Sequence, residues 1–220
     1  MQYVTLGKTG ITVNKNGFGA LPIQRISFDE AAAVLRRAYD GGVRYFDTAR
    51  FYTDSEAKIA YALGDVRSDI YIATKSMATA AADFKEQLET SLKELGTDYV
   101  DVMQFHNLPF CPVPGHESGL YEAMLEAKEK GKVRHIGITT HKIDLAREAI
   151  ESGLYETLQY PFSYLAAPEE VELVKMCRER NMGFICMKGM AGGLIRSGRA
   201  SYAYISQFDN ALPIWGVQKM

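Results

Sequence analysis

Asn16-Gly17-Phe18-Gly19-Ala20-Leu21-Pro22, residues 16–22, is the stretch on which the fold turns. It opens like a dinucleotide-binding turn, where a strand runs into a helix through Gly-x-Gly-x-x-Gly and the third glycine lets helix and strand pack closely. Pro22 stands in that third position. A doubly wound sheet therefore loses its fingerprint, and a chain that alternates strands with helices is left with the other parallel solution, a closed barrel.

Seven more runs like 16–21 follow, each short, apolar and rich in β-branched or aromatic residues: VRYFDTA (43–49), IYIATKS (70–76), YVDVMQFH (99–106), VRHIGITT (133–140), TLQYPF (157–162), GFICMKG (183–189) and LPIWGV (212–217). Eight strands result. Amphipathic segments separate them, marked by Ser27 three residues before Glu30 and Asp83 three before Glu86, two capping-box patterns. Phe84, Leu88, Leu92 and Leu95 recur at helical spacing before Gly96, a left-handed stop. Gly131 and Gly153 suit the same role, and Pro168 with Glu169 and Glu170 suits a first helical turn. Ahead of the first strand, Val4 and Leu6, then Ile11 and Val13, alternate around Gly7-Lys8-Thr9-Gly10 as a β-hairpin, read as an appendage. The expected fold is α/β, a (β/α)8 TIM barrel with an N-terminal hairpin, one domain over residues 1–220.

Composition excludes several classes. The chain has 220 residues, 47% hydrophobic and 24% charged, with a formal net charge of −2. A field so close to neutral does not hold nucleic acid or an acidic membrane surface. Cys111, Cys177 and Cys186 are widely spaced, with no Cys-x-x-Cys pair, so no metal site is expected and a reducing compartment fits. The start, MQYVTLGKTG, lacks the basic head and apolar core of a signal peptide, and no apolar run approaches the ~18 residues of a membrane span. A cytoplasmic protein is expected.

Barrel enzymes carry their chemistry at the carboxyl ends of the strands, where the loops converge. Asp47 ends the second strand, Tyr52 follows in its loop, Lys75 ends the third, and His106 ends the fourth. Singly, each has an ordinary explanation as cap, packing residue or solvent-facing charge. Together they make sense as acid catalysis on an alkoxide. Hydride addition to a carbonyl carbon leaves a strongly basic oxygen that needs a proton from a nearby group. A phenol can give it; an adjacent ammonium lowers the phenol pKa from about 10, and a carboxylate keeps that ammonium charged and aimed. His106 then orients the carbonyl oxygen or shares in proton delivery. A Schiff-base role for Lys75 alone would explain neither Asp47 nor Tyr52.

The segment YFDTARFYTDSEA (45–57), together with IYIATK, LETSLKELGTDYVDVMQFHN (88–107) and GKVRHIGITTH (131–141), resembles the aldo-keto reductase superfamily in order and over nearly the whole chain. The resemblance implies reduction of an aldehyde or ketone by NADPH, less often NADH, with Asp47, Tyr52, Lys75 and His106 as catalytic tetrad. It further implies that Gly19, Ala20, Asp47, Thr139, Thr140, Gln159, Met187, Lys188 and Gly189 surround the cofactor. Thr139-Thr140 stands where the family usually has Ser-Asn, and Met187 where it usually has an aromatic on the nicotinamide. Leu21, Phe51 and Phe110 are expected to line the substrate mouth. Met187-Lys188 resembles the branch whose longer members append a ferredoxin-like iron-sulfur module, whose cysteine array is not in this sequence.

The eighth run passes through Trp215 and Gly216 to Met220, with no final helix. The expectation is an uncovered face on the eighth and first strands, met by a homo-oligomer contact, a partner or a longer chain. The rival functional reading is accordingly a catalytically weak barrel acting as a binding or regulatory subunit.

Overall fold

The computed structural model describes residues 2–219. Its barrel strands are β3 (Gly17–Gly19), β4 (Tyr45–Asp47), β5 (Tyr71–Ser76), β6 (Val100–His106), β7 (Val133–Thr139), β8 (Thr157–Pro161), β9 (Gly183–Met187) and β10 (Ala211–Gly216). They pair in parallel in sequence order, and β10 returns to β3 to close the ring, with Ile214 opposite Gly17 and Gly216 opposite Gly19. The barrel chosen over the open sheet is thus the fold. Around it lie α1 (Phe28–Asp40), α2 (Ser55–Leu63), α3 (Ala81–Leu95), α4 (Leu120–Glu129), α5 (Ile143–Ser152), α6 (Pro168–Glu179) and α7 (Gly198–Ile205).

Local chemistry explains most of the boundaries. Ser27 caps α1 by accepting from the Glu30 N–H while the Glu30 carboxylate accepts from the Ser27 N–H at 2.8 Å. Pro168 begins α6, and Glu170 reaches back to the Ala167 N–H at 2.8 Å. Gly96 and Gly153 end α3 and α5 with φ of 60° and 68°. The Asp83 box needs correction. α3 begins at Ala81, so Asp83 already sits in the first turn, near the positive end of the dipole, and the cap position belongs to Ala80 with no side-chain bond.

Alternation along the strands separates two cores. Phe46, Ile72, Met103, Phe105, Ile138, Leu158 and Phe184 point outward and join Leu35, Phe84, Leu88, Leu92 and Leu173 of the helices in the main cluster. Tyr45, Ala73, Val102, Ile185 and Leu212 point inward. There they meet Val4, Leu6, Ile11 and Val13 of the hairpin, β1 (Tyr3–Thr5) and β2 (Thr12–Asn14). The hairpin is therefore a stopper in the amino-terminal mouth rather than an appendage. Its turn bonds to the barrel through Lys8 N–H to Asn181 O at 2.7 Å, and a Cβ on Gly183 would lie 2.8 Å from the Leu6 Cβ.

The same alternation sets the height of the polar layer. Two residues beyond Tyr45, Ala73, Val102 and Ile185 come Asp47, Lys75, Gln104 and Met187, one step above the apolar floor and facing the same interior.

Among the described residues no helix follows β10, and none is long and apolar enough to cross a membrane. Beside β10 a groove of about 240 Å³ is lined by Phe18, Val34, Ala38, Val43, Trp215 and Val217, with Arg37 and Lys219 at its edge.

Candidate active site

Asp47 and Lys75 form a buried ion pair, with Lys75 Nζ 2.5 Å from Asp47 Oδ1 and side chains 3% (Asp47) and 1% (Lys75) exposed. Lys75 Nζ also donates to the Thr48 carbonyl at 2.6 Å. Burial pushes the Asp47 carboxyl above its ordinary range, opposed by Lys75 and by the amides of Gln159 and Gln104. Those amides donate to Oδ1 at 3.3 Å and Oδ2 at 3.1 Å.

Tyr52 is brought to this pair by a tightly held loop. Tyr52 N–H bonds Ala49 O, Ser55 N–H bonds Tyr52 O, and Arg50 N–H bonds Lys75 O, at 2.9, 2.9 and 3.0 Å. The Arg50 guanidinium pairs with the buried Glu56 carboxylate, which also accepts from Thr74 Oγ1 at 2.6 Å. Thr53, at φ 42°, makes the turn. The result sets Lys75 Nζ 5.1 Å from the Tyr52 ring centre and the His106 ring edge-on to it, centroids 5.9 Å apart.

The expected depression of the phenol pKa is not what this geometry gives. Burial raises Tyr52 above its ordinary value of 10.0; Lys75 pulls downward as anticipated, and Asp47 adds to the rise. Desolvation wins because the phenolate, the charged form, is the one that loses water. His106 moves the other way, down to about 3, through burial first and then the charges of Lys75 and His141. At neutral pH its imidazole is uncharged, and its buried Nδ1 has no protein partner among the described residues.

All four tetrad residues line one cavity of about 380 Å³, within the usual range for small-molecule sites. Gly19, Ala20, Thr139, Gln159, Met187 and Lys188 of the cofactor set line it too, as does Leu21. The remaining expectations lie elsewhere. Thr140 is buried beside the wall, its Oγ1 accepting from the Lys142 N–H, and Gly189 is packed where a Cβ would lie 2.8 Å from the Trp215 ring. Phe51 is 71% exposed and outside the lining, while Phe110 stacks on His116 with centroids 4.4 Å apart. Five lining residues escaped the sequence reading: Pro22, Asn107, His141, Ile214 and Gly216. Asn107, at φ 52°, accepts from the His141 N–H at 3.2 Å, tying the loops after β6 and β7 together. For Asn107 and His141, adjacency to His106 and to Thr139-Thr140 was the only signal.

Among the described residues no group of three or more His, Cys, Asp or Glu is arranged to hold a metal. A nicotinamide ring, by contrast, has suitable contacts. Among the described residues the Gln159 Oε1 is a buried acceptor without a partner, and the Met187 thioether chain stands on the same wall.

A closed parallel barrel with a buried carboxylate–ammonium pair, a phenol and an uncharged imidazole at its carboxyl mouth belongs to the class of (β/α)8 barrels. Residues 15–211 match the aldo/keto reductase family, and the chain is a member of it. It is 29% identical over 209 residues to L-galactose dehydrogenase of Arabidopsis thaliana, covering 86% of this chain and 66% of that protein. It is 36% identical over 148 residues to methylglyoxal reductase DkgB of Salmonella typhi, covering 64% and 52%. A Klebsiella pneumoniae aldo-keto reductase solved in complex with NADPH superposes with a TM-score of 0.85 at 20% identity, over 99% of this chain and 85% of that one. The chain thus spans about two thirds, or less, of these curated relatives.

Proposed function

We propose that this protein reduces an aldehyde or ketone with NADPH, NADH being the alternative donor, and that Tyr52 is the general acid. The observation carrying this is the convergence of Tyr52, the Lys75–Asp47 pair and His106 in one cavity. When bound, the cofactor supplies the hydride that reaches the carbonyl carbon. The Tyr52 O–H gives its proton to the oxygen as negative charge develops there. Its raised pKa keeps the phenol protonated through neutrality, so the donor is always loaded. Lys75, paired with Asp47, stabilises the phenolate left behind. His106, uncharged at neutral pH, serves as a hydrogen-bond partner that orients the carbonyl oxygen rather than as a proton source. Gln159 is the natural acceptor for the carboxamide of the nicotinamide, and Gly19, Ala20, Thr139 and Met187 complete its wall. Lys188, at the rim, suits the pyrophosphate as a point charge.

NADPH oxidation measured with a panel of small aldehydes and dicarbonyls tests the assignment. Tyr52→Phe is expected to lower kcat about 100-fold or more while NADPH binding, followed by fluorescence, persists. Full turnover by Tyr52→Phe would remove the proposed acid.

A further inference from the structure

We infer that Gln104 is a positioning residue for the reaction, the side chain that fixes the rotation of the Asp47 carboxylate and thereby the aim of Lys75. This rests on the reductase reading above. Asp47 Oδ1 accepts from Lys75 Nζ at 2.5 Å and from Gln159 Nε2 at 3.3 Å, whereas Oδ2 accepts from Gln104 Nε2 at 3.1 Å. A carboxylate whose two oxygens are held by different strands cannot turn about its own axis. Here the donors come from β5, β8 and β6. The orientation of the Gln104 amide is itself determined, because an ionised carboxylate only accepts and must face the NH₂ end. Lys75 is paired in register with Gln104 across β5 and β6, so amide and ammonium approach Asp47 as neighbours.

Gln104 is fully buried and has no route to solvent to satisfy its amide elsewhere. Its Oε1 is without a partner among the described residues, a cost that an apolar residue at this position would avoid. The bond to Asp47 is the compensating feature. Space for the side chain comes from β7. A Cβ on Gly137 would sit 2.9 Å from Gln104 Cγ and 2.4 Å from Thr157 Oγ1, so the glycine is what lets the glutamine lie across the barrel.

The titratable groups facing Asp47 are Lys75 from β5, Tyr52 from the loop after β4 and Tyr45 from its own strand, with His106 of β6 beyond Lys75. Gln104→Met keeps the volume and removes the donor. Gln104→Glu places a second carboxylate against the first, and two such groups share a proton at neutral pH.

Two readouts in the full chain separate this inference from the reading it rests on. Carbon-13 NMR titration of labelled aspartate needs no turnover. The Asp47 carboxyl is expected to titrate at higher pH in Gln104→Met than in wild type, and an unmoved titration overturns the inference whatever the enzyme does. Steady-state kinetics give the second. With an active wild type, Gln104→Met is expected to lose about tenfold or more in kcat, as loss of a hydrogen bond to a charged group implies, with substrate KM changed less than about twofold. Its acidic limb should move toward neutrality, and further in Gln104→Glu. Wild-type kcat and pH profile in Gln104→Met would overturn the positioning role. An inactive wild type with a moved Asp47 titration would fault the reductase reading and leave the Gln104–Asp47 coupling supported.

Discussion

At the scale of the residue, this site is governed by desolvation, and desolvation acts oppositely on acids and bases. Tyr52 is raised and His106 lowered by the same dry surroundings. The signs give a pH profile. In the proposed mechanism reduction needs the phenol protonated, and the protonated fraction falls as pH rises through the phenol pKa, so a raised pKa moves that fall upward. The rate of reduction is therefore expected to hold through neutrality and to decline only above about 10, with no inflection near 6.5 from His106, which is already uncharged there. Stopped-flow single turnovers across pH, with proton NMR of the His106 ring, check both parts. An alkaline fall centred near 7 would show that Lys75 outweighs burial after all. Asp47, Lys75 and His106 were conspicuous in sequence as polar residues at the ends of otherwise apolar strands, and Tyr52 by its place in the loop that follows Asp47. Gln104 was not, because a neutral amide within YVDVMQFH reads as one interruption of a strand, and only the register with Lys75 and Asp47 gives it a partner.

Elements were legible where their punctuation is local. Ser27, Gly96, Gly153 and Pro168 act within four residues of themselves, and each does what its chemistry suggests. Asp83 was misplaced because Ala80 gives no sign of starting a helix, the start being fixed by bonds from its neighbours such as Ala81 N–H to Ser118 O at 3.0 Å. Phe51 and Phe110 were assigned to the mouth from loop position alone, which cannot tell a side chain facing the cavity from one facing water or a histidine. A residue overlooked entirely, Glu156, ties three elements. Its carboxylate accepts from the Ile136 N–H at 3.0 Å and His135 Nδ1 at 2.7 Å, and pairs with Lys128 at 2.5 Å, joining β7, α4 and the entry to β8. Burial alone would raise its pKa, but these partners prevail and bring it from 4.5 to about 2. A carboxyl depressed in the folded state contributes stability that is complete above its unfolded pKa and lost as pH falls through the folded one. Glu156 is thus expected to contribute about 3 kcal/mol that disappears between about pH 4.5 and 2. Urea titrations at pH 7 and pH 2.5 should show Glu156→Gln much less stable than wild type at the first and close to it at the second.

For the whole molecule, the number and order of strands were readable because every strand announces itself by composition. The role of the hairpin was not, because nothing in its own sequence says which end of a barrel it will meet. In the folded chain Leu6 is wholly buried under the barrel floor, and the Gly183 hydrogen faces it where a Cβ would lie 2.8 Å from Leu6 Cβ and 3.0 Å from Leu6 Cα. Two substitutions probe this seat from opposite directions. Leu6→Ala opens a cavity and is expected to cost about 2–5 kcal/mol. Gly183→Ala overfills the seat and is expected to cost about 1–3 kcal/mol. Intuition suggests that the smaller alanine at 6 would make room for the larger one at 183. The contacts say otherwise, since the atoms that Cβ of residue 183 would strike are the Cβ, Cα and carbonyl carbon of residue 6, and alanine retains all three. The double variant should therefore unfold in urea with no rescue relative to the sum of the singles. A rescue of more than about 1 kcal/mol, beyond ordinary coupling between contacting sites, would mean that the Leu6 side chain beyond Cβ sets the spacing, and that the stopper is held by its tip instead of its backbone.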